Sequence, residues 1–232
     1  MKTLNLKLLP FLLILVFLGS CTEFFSTSWA SWASRSPSGL IPDVTTDNVD
    51  ELVEMAADDP DLSLELLKKI AEAVEGATGQ DKADLLSAAV EAAGNAVGLG
   101  QTIIEVAGDI ASIGDNPKKV AIDAINSMPN LEETGEALYN LLGSLDNLTD
   151  FTDNASSEDI AMAAVLLLVG EAKAKENEYS NGAEGYVMGF PGTSGDAGDM
   201  AQDLIKELID NDRIKELPET LQNILEGLGF WT

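Results

Sequence analysis

From Val44 onward, this chain repeatedly spaces its apolar residues three and four positions apart, and no convincing strand-like alternation interrupts the series. That spacing matches the 3.6-residue turn of an α-helix with one greasy stripe, and such a stripe is stable only against another element. Leu62, Leu66, Ile70, Ala73 and Val74 form one stripe, with Glu65, Lys69 and Glu72 on the opposite side. Asp59-Pro60 just before it reads as an N-cap followed by proline at the first helical position, where the missing N–H costs nothing. Thr46, Asp47 and Asn48 offer caps for a shorter helix running to about Ala57. Leu85, Leu86, Ala89, Val90 and Ala93 make a further stripe, expected to break near Gly94, Gly98 and Gly100. Ile103, Ile104, Ala107, Ile110 and Ile113 make another, and Asn116-Pro117 repeats the cap-plus-proline signal ahead of Val120, Ala121, Ala124 and Ile125. After Pro129, a helix is expected over Leu131–Leu145, with Leu138, Leu141, Leu142 and Leu145 on one side.

Ile160 to Val169 departs from this pattern because it is apolar on every side. A helix of that kind must be buried on every side, and at ten or so residues it falls short of the about 20 needed to cross a bilayer. It reads as the central helix, entered through a capping-box-like Ser156 and Asp159. Two more helices are expected at about Asp199–Asp210 and Pro218–Leu228. Short connections place successive helices antiparallel and in contact. The expected fold is all-α, either an antiparallel helical bundle or a degenerate helical-repeat (TPR-like) array of about eight to nine helices. No clear repeat is visible, and the Trp, Gly and Tyr positions of the tetratricopeptide consensus are absent.

Upstream of the helices the chain carries a different message. Met1 to Lys7 holds two lysines, Leu8 to Leu18 is almost wholly apolar, and Leu18-Gly19-Ser20-Cys21 follows. Charged start, short greasy core and small residues are the layout of a bacterial export signal, interrupted by Pro10 and too short to span. Leu-Gly-Ser-Cys resembles the lipobox of bacterial lipoproteins. That resemblance implies diacylglyceryl transfer to the Cys21 sulfur, cleavage before it and acylation of the new N-terminus. Two or more acyl chains give stable attachment where one gives only reversible binding. The implied organisation is a signal peptide over residues 1–20, a lipid-attached tether over 21–43 and a single helical domain over 44–232. The tether holds Phe24, Phe25, Trp29 and Trp32, whose rings suit either the headgroup level of a bilayer or a groove of the domain.

Charge bounds the partners. The chain has 13 basic and 40 acidic residues, a formal charge of −27, and loss of the signal with Lys2 and Lys7 takes it to −29. Nucleic acid and anionic headgroups repel such a surface, since their binding depends on cationic side chains displacing counterions. Neutral, basic or metal-bearing partners are expected, with the acidity serving first for solubility. Cys21 is the only cysteine, so no disulfide framework exists and stability must come from core burial. There is no histidine either, which removes Ser-His-Asp and Cys-His nucleophile systems, imidazole bases and nearly every zinc pattern. No catalytic residue, cofactor or metal site is expected, and the chain reads as non-enzymatic. Asp146, Asp150, Asp153, Glu158 and Asp159 gather around one turn, but counting an EF-hand loop from Asp150 puts Ala155 at the glycine position and Ala161 at the last ligand position. Helix capping and solvation explain these residues. The run Asp43, Asp47, Asp50, Glu51, Glu54, Asp58, Asp59 and Asp61 reads first as a solvated face and second as a docking strip for a basic partner.

Asn177 to Gly198 is expected to be a long glycine-rich loop, with Tyr179, Tyr186, Met188 and Phe190 as candidate ligand or partner residues. Those side chains either line a pocket between helices, anchor a partner, or plug one end of the bundle, the last being commonest for buried aromatics.

Phe-Phe-Ser-Thr-Ser-Trp-Ala over residues 24–30, Arg35-Ser36-Pro37 and Val-Thr-Thr-Asp-Asn-Val over residues 44–49 together resemble lipoproteins of treponemes and related spirochaetes. The likeness covers the anchor and first helices and implies a place in the cell envelope, held to the membrane by lipid and facing other envelope proteins. Thr22 stands where an aspartate favours inner-membrane retention in many bacterial lipoproteins, which favours the outer membrane or its periplasmic face. Two functions fit: a protein-binding scaffold, or a carrier or sensor holding a small apolar or cationic ligand under the 179–190 segment.

Overall fold

The computed structural model describes residues 39, 41–100, 102, 127–179, 181–189 and 196–228. Two compact units divide between Leu40 and Ile41, and every described helix belongs to the second. The architecture is all-α, with no strand among the described residues. The stripes at Ile103–Ile113 and Val120–Ile125, and the tether aromatics, lie outside the described residues.

Helix α1 (Val49–Ala56) buries Val49, Leu52, Val53 and Ala56. Its predicted cap acts on the incoming chain instead: Asn48 Oδ1 accepts from the Thr45 N–H at 2.8 Å and its Nδ2 donates to the Asp43 carbonyl at 3.0 Å. Helix α2 (Pro60–Val74) starts as its sequence demands, with Asp59 Oδ1 accepting from the Asp61 and Leu62 amides at 3.1 Å each. Ser63, fully buried, donates to the Ala56 carbonyl at 2.8 Å, a second bond to an acceptor that also takes the Asp59 amide at 2.9 Å, and so ties the end of α1 to α2. Helix α3 (Gln80–Ala96) follows a turn in which Gly79 adopts φ +60°, and its alanine-rich face is wholly buried. The helix runs through Gly94 and ends at Ala96, with Gly98 at φ +65° just beyond, inside the stretch where the break is expected. One glycine inside a helix costs only about 1 kcal/mol, and the burial of the other residues along α3 outweighs it.

Helix α4 (Leu131–Leu142) and helix α5 (Leu145–Asn154) replace the single helix expected over Leu131–Leu145. Ser144 restarts the chain by accepting from the Asn147 amide at 3.1 Å, while Asn147 Nδ2 donates back to the Leu141 carbonyl at 2.6 Å and closes α4. Helix α6 (Ser157–Ala174) opens with a complete Ser156–Asp159 capping box. From Ile160 to Val169 its side chains are buried, apart from the partly buried Met162. It packs against α3, α4 and helix α8 (Asp196–Asp210), together with the short helix α7 (Ala183–Gly189) and helix α9 (Glu219–Leu228). A 3-10 turn, Arg213–Glu216, joins α8 to α9. The α4–α6 crossing is tight because glycines meet there: a Cβ built on Gly135 or Gly170 would lie 2.7 Å from the other's Cα.

Candidate functional site

Tyr186 has a fully buried side chain on α7, and Tyr179 lies partly buried beside it. Their rings meet edge to face, centroids 5.6 Å apart and planes at 88°, the arrangement favoured by aromatic quadrupoles. Instead of the long irregular loop expected over Asn177–Gly198, α7 forms within it and α8 begins at Asp196. Tyr186 is drawn in as core. Met188 falls within α7, and Phe190 lies outside the described residues, as does Cys21.

Around Tyr186 the polar groups are arranged with little slack. Glu171, near the end of α6, is almost fully buried and accepts from the Gly198 amide in the first turn of α8. A carboxylate from one helix thereby supplies the N-terminal cap of another, complementing the positive end of its dipole. Lys175 Nζ pairs with Glu171 Oε1 at 2.7 Å and stands 5.8 Å from the Tyr186 ring centroid. The hydrogen bond it donates to Glu171 holds the Lys175 ammonium above the usual lysine range against the opposing effect of desolvation, with the charges of Glu171, Glu178 and Tyr179 adding to it. Gly198 has to be glycine: a Cβ there would sit 2.5 Å from the Tyr186 hydroxyl and 3.1 Å from Glu171 Oε2.

Beside this cluster lies an open cleft of about 470 Å³. Tyr139, Lys175 and the carboxylates of Glu132, Glu136, Glu171 and Asp199 line it. Glu132 and Asp199 belong to the first turns of α4 and α8, where negative charge stabilises a helix without any ligand. The cleft is acidic and open, unlike an enclosed apolar cavity.

Two of the acidic residues singled out near residue 150 take up structural duties. Asp150 pairs with Lys82 at 2.8 Å, tying α5 to α3 through a lysine whose side chain is only 13% exposed. Asp159 completes the capping box of α6. Among the described residues, no three acidic, cysteine or histidine side chains are placed to hold a metal ion. The earlier acidic run stands in solvent, since Asp43, Asp47, Asp50, Glu51, Glu54, Asp58, Asp59 and Asp61 are all exposed. Met55 lies among them on the outer face of α1, 53% exposed, and no lysine or arginine occurs between Arg35 and Lys68.

Two features were missed from the sequence. Glu91 is exposed on α3, yet partial desolvation and the facing charges of Asp159 and Asp50 raise its pKa from the ordinary 4.5. Arg213 is the other: Nε donates to Ser157 Oγ at 3.1 Å, and Nη1 and Nη2 donate to the Thr152 and Ala155 carbonyls at 3.1 and 2.6 Å. It thereby closes the end of α5 from a point some 60 residues downstream in the chain, as the separations of 56, 61 and 58 positions record.

Searches against protein-family models, curated proteins and solved structures found no match for the chain. No described helix is long and apolar enough to cross a membrane.

Proposed function

We propose that this chain is a lipid-anchored lipoprotein of a bacterial envelope whose helical domain binds other envelope proteins as a scaffold and catalyses no reaction. The observation that carries the reading is Cys21 itself, the sole cysteine, directly after Leu18-Gly19-Ser20 and a short apolar run. The likeness to spirochaete lipoproteins in residues 24–49 supports the same address, with Thr22 favouring the outer membrane. The exposed carboxylates of residues 43–61 around Met55 offer a partner both charge and one apolar contact. A basic protein surface is the chemistry that would complement them.

A small-ligand carrier is the second reading, and the cleft beside Tyr139 and Lys175 is what favours it. Its acidic lining selects a cation over the apolar ligand. Two experiments separate the readings. Crosslinking in intact cells followed by pulldown should recover envelope proteins with the wild type and lose them when Glu51, Glu54 and Asp58 are changed together to amides. Native mass spectrometry of the purified chain should then show no retained small molecule; a stoichiometric small cation would transfer the argument to the carrier.

A further inference from the structure

We propose that Asn181 is a self-modifying site: its side chain cyclises onto the Gly182 amide, loses ammonia and reopens mainly as isoaspartate, and the lengthened backbone releases Tyr179 from Tyr186. The inference depends on neither the scaffold nor the carrier reading. Asn181-Gly182 is the one place in the 232-residue sequence where asparagine precedes glycine. The pair lies in the connection between α6 and α7, where Asn181 is exposed and Gly182 takes φ +62°. Glycine meets that left-handed backbone without a Cβ penalty, and for the same reason no side chain screens its nitrogen. The side-chain amides of Asn48, Asn130, Asn147, Asn154 and Asn211 are engaged in hydrogen bonds, whereas that of Asn181 makes none among the described residues. Asn95 and Asn140 stand inside α3 and α4, where helical hydrogen bonds hold the backbone. Asn177 is exposed like Asn181 but precedes Glu178, whose side chain shields the nitrogen that would attack.

The Gly182 N–H donates to the Tyr179 carbonyl at 3.0 Å, and the Gly185 N–H to the Gly182 carbonyl at 3.0 Å. The first bond must open before the nitrogen can react, and an exposed turn opens far more cheaply than the core helices. The deprotonated Gly182 nitrogen then bonds to Asn181 Cγ, the Cγ–Nδ2 bond breaks, and ammonia leaves with the proton, closing a succinimide. Water opens the ring at either carbonyl. Attack at Cγ gives aspartate at position 181; attack at the former backbone carbonyl leaves the chain running through Cβ and Cγ, an isoaspartate with one extra backbone atom. Water is consumed and ammonia released, with no oxidant or reductant. The extra atom enters a packed turn: a Cβ built on Gly185 would lie 2.9 Å from Tyr179 Cβ and 3.7 Å from Asn181 Cβ. Lengthening the chain there pulls the Gly182 amide away from Tyr179 and breaks the edge-to-face contact of Tyr179 with Tyr186.

The test ages the full folded chain at mildly alkaline pH and physiological temperature, then maps peptides by mass spectrometry with electron-transfer fragmentation, which tells isoaspartate from aspartate. The amide-to-acid mass gain should appear first on the peptide holding Asn181, with isoaspartate exceeding aspartate and the rate rising with pH; Asn181→Gln should remove it. A gain at Asn177 as early as at Asn181 overturns the site, and aspartate without isoaspartate overturns the succinimide route. Hydrogen–deuterium exchange of the separated isoaspartate fraction reads the consequence. Exchange over residues 182–189 should rise against unaged wild type while α2 and α3 stay unchanged, and Asn181→Asp, which adds the charge without lengthening the backbone, should show no such rise. An unchanged isoaspartate fraction, or an equal rise in Asn181→Asp, overturns the release of Tyr179 by the lengthened backbone.

Discussion

Two glycines inside helices separate packing from propensity. At Gly170 in α6, alanine gains the about 1 kcal/mol by which it outranks glycine as a helix former. The added Cβ meets Gly135 Cα at 2.7 Å, the Leu131 carbonyl oxygen at 3.3 Å and the Gly135 nitrogen at 3.4 Å. Carbon contacts are comfortable at about 3.5–4.0 Å, so α4 and α6 must part by about an ångström. Overpacking costs about 1–3 kcal/mol, and because the obstacle here is backbone that cannot turn aside the cost falls in the upper part of that range, about 2–3 kcal/mol. The net is a loss of about 1–2 kcal/mol, which lowers Tm by about 2–8 °C for a domain of this size. At Gly94 in α3 the added Cβ meets only the flexible end of Met162, Cε at 3.2 Å, and Leu99 Cβ at 4.0 Å. Met162 can swing away, so Gly94→Ala keeps most of the propensity gain and raises Tm by about 2–4 °C. Thermal unfolding followed by far-UV circular dichroism measures both. A Gly170→Ala chain as stable as wild type, or a Gly94→Ala chain less stable than Gly170→Ala, refutes the argument from the crossing.

Other residues give independent checks. Thr134 is fully buried, and its Oγ1 has no hydrogen-bond partner among the described residues, so Thr134→Val should stabilise by about 1 kcal/mol in denaturant titration; a loss of stability would mean the hydroxyl is satisfied. Glu91 has a raised pKa, so the folded state holds its proton more tightly than the unfolded chain, and stability falls as pH rises from 4.5 through the raised value. Glu91→Gln should accordingly be more stable than wild type at pH 7, with the difference shrinking below pH 4.5; an advantage independent of pH contradicts the cause given. Leu167→Ala, at the buried heart of α6, should cost about 2–5 kcal/mol and show as a lower denaturant midpoint with little change in slope.

The parts of the fold that the sequence displayed are those whose cause is local. Asp59-Pro60 and Ser156 with Asp159 start α2 and α6 through bonds made within three residues, and the all-apolar run of α6 can be satisfied only by complete burial. What was not legible depends on distant partners. Helix α5 is rich in Asp, Asn and Thr, poor helix formers, and is secured by a buried Phe151, by the cap at Ser144 and by Lys82 and Arg213 arriving from elsewhere. Helix α7 holds Gly185 and Gly189 within seven residues, and the burial of Tyr186 against the α6–α8 junction is a tertiary effect that overrides that composition. Nothing local marks Gly135 and Gly170 as a pair, or Glu171 as the cap of α8. The candidate residues followed the same division: Tyr179 and Tyr186 do share a cluster, yet the cleft beside them is lined by α4 and α8, whose approach no motif announces.

The central claim is that an acidic helical globule is held to a bilayer by fatty acid on the first residue after its signal. Metabolic labelling with radioactive palmitate tests it most directly, comparing wild type with Cys21→Ser in a bacterium that carries the lipoprotein-processing enzymes. The account predicts label on the wild-type chain, a product about 20 residues shorter than the translated one, and loss of both in the variant. An unlabelled wild-type chain, or one that keeps its label when Cys21 is replaced, contradicts it.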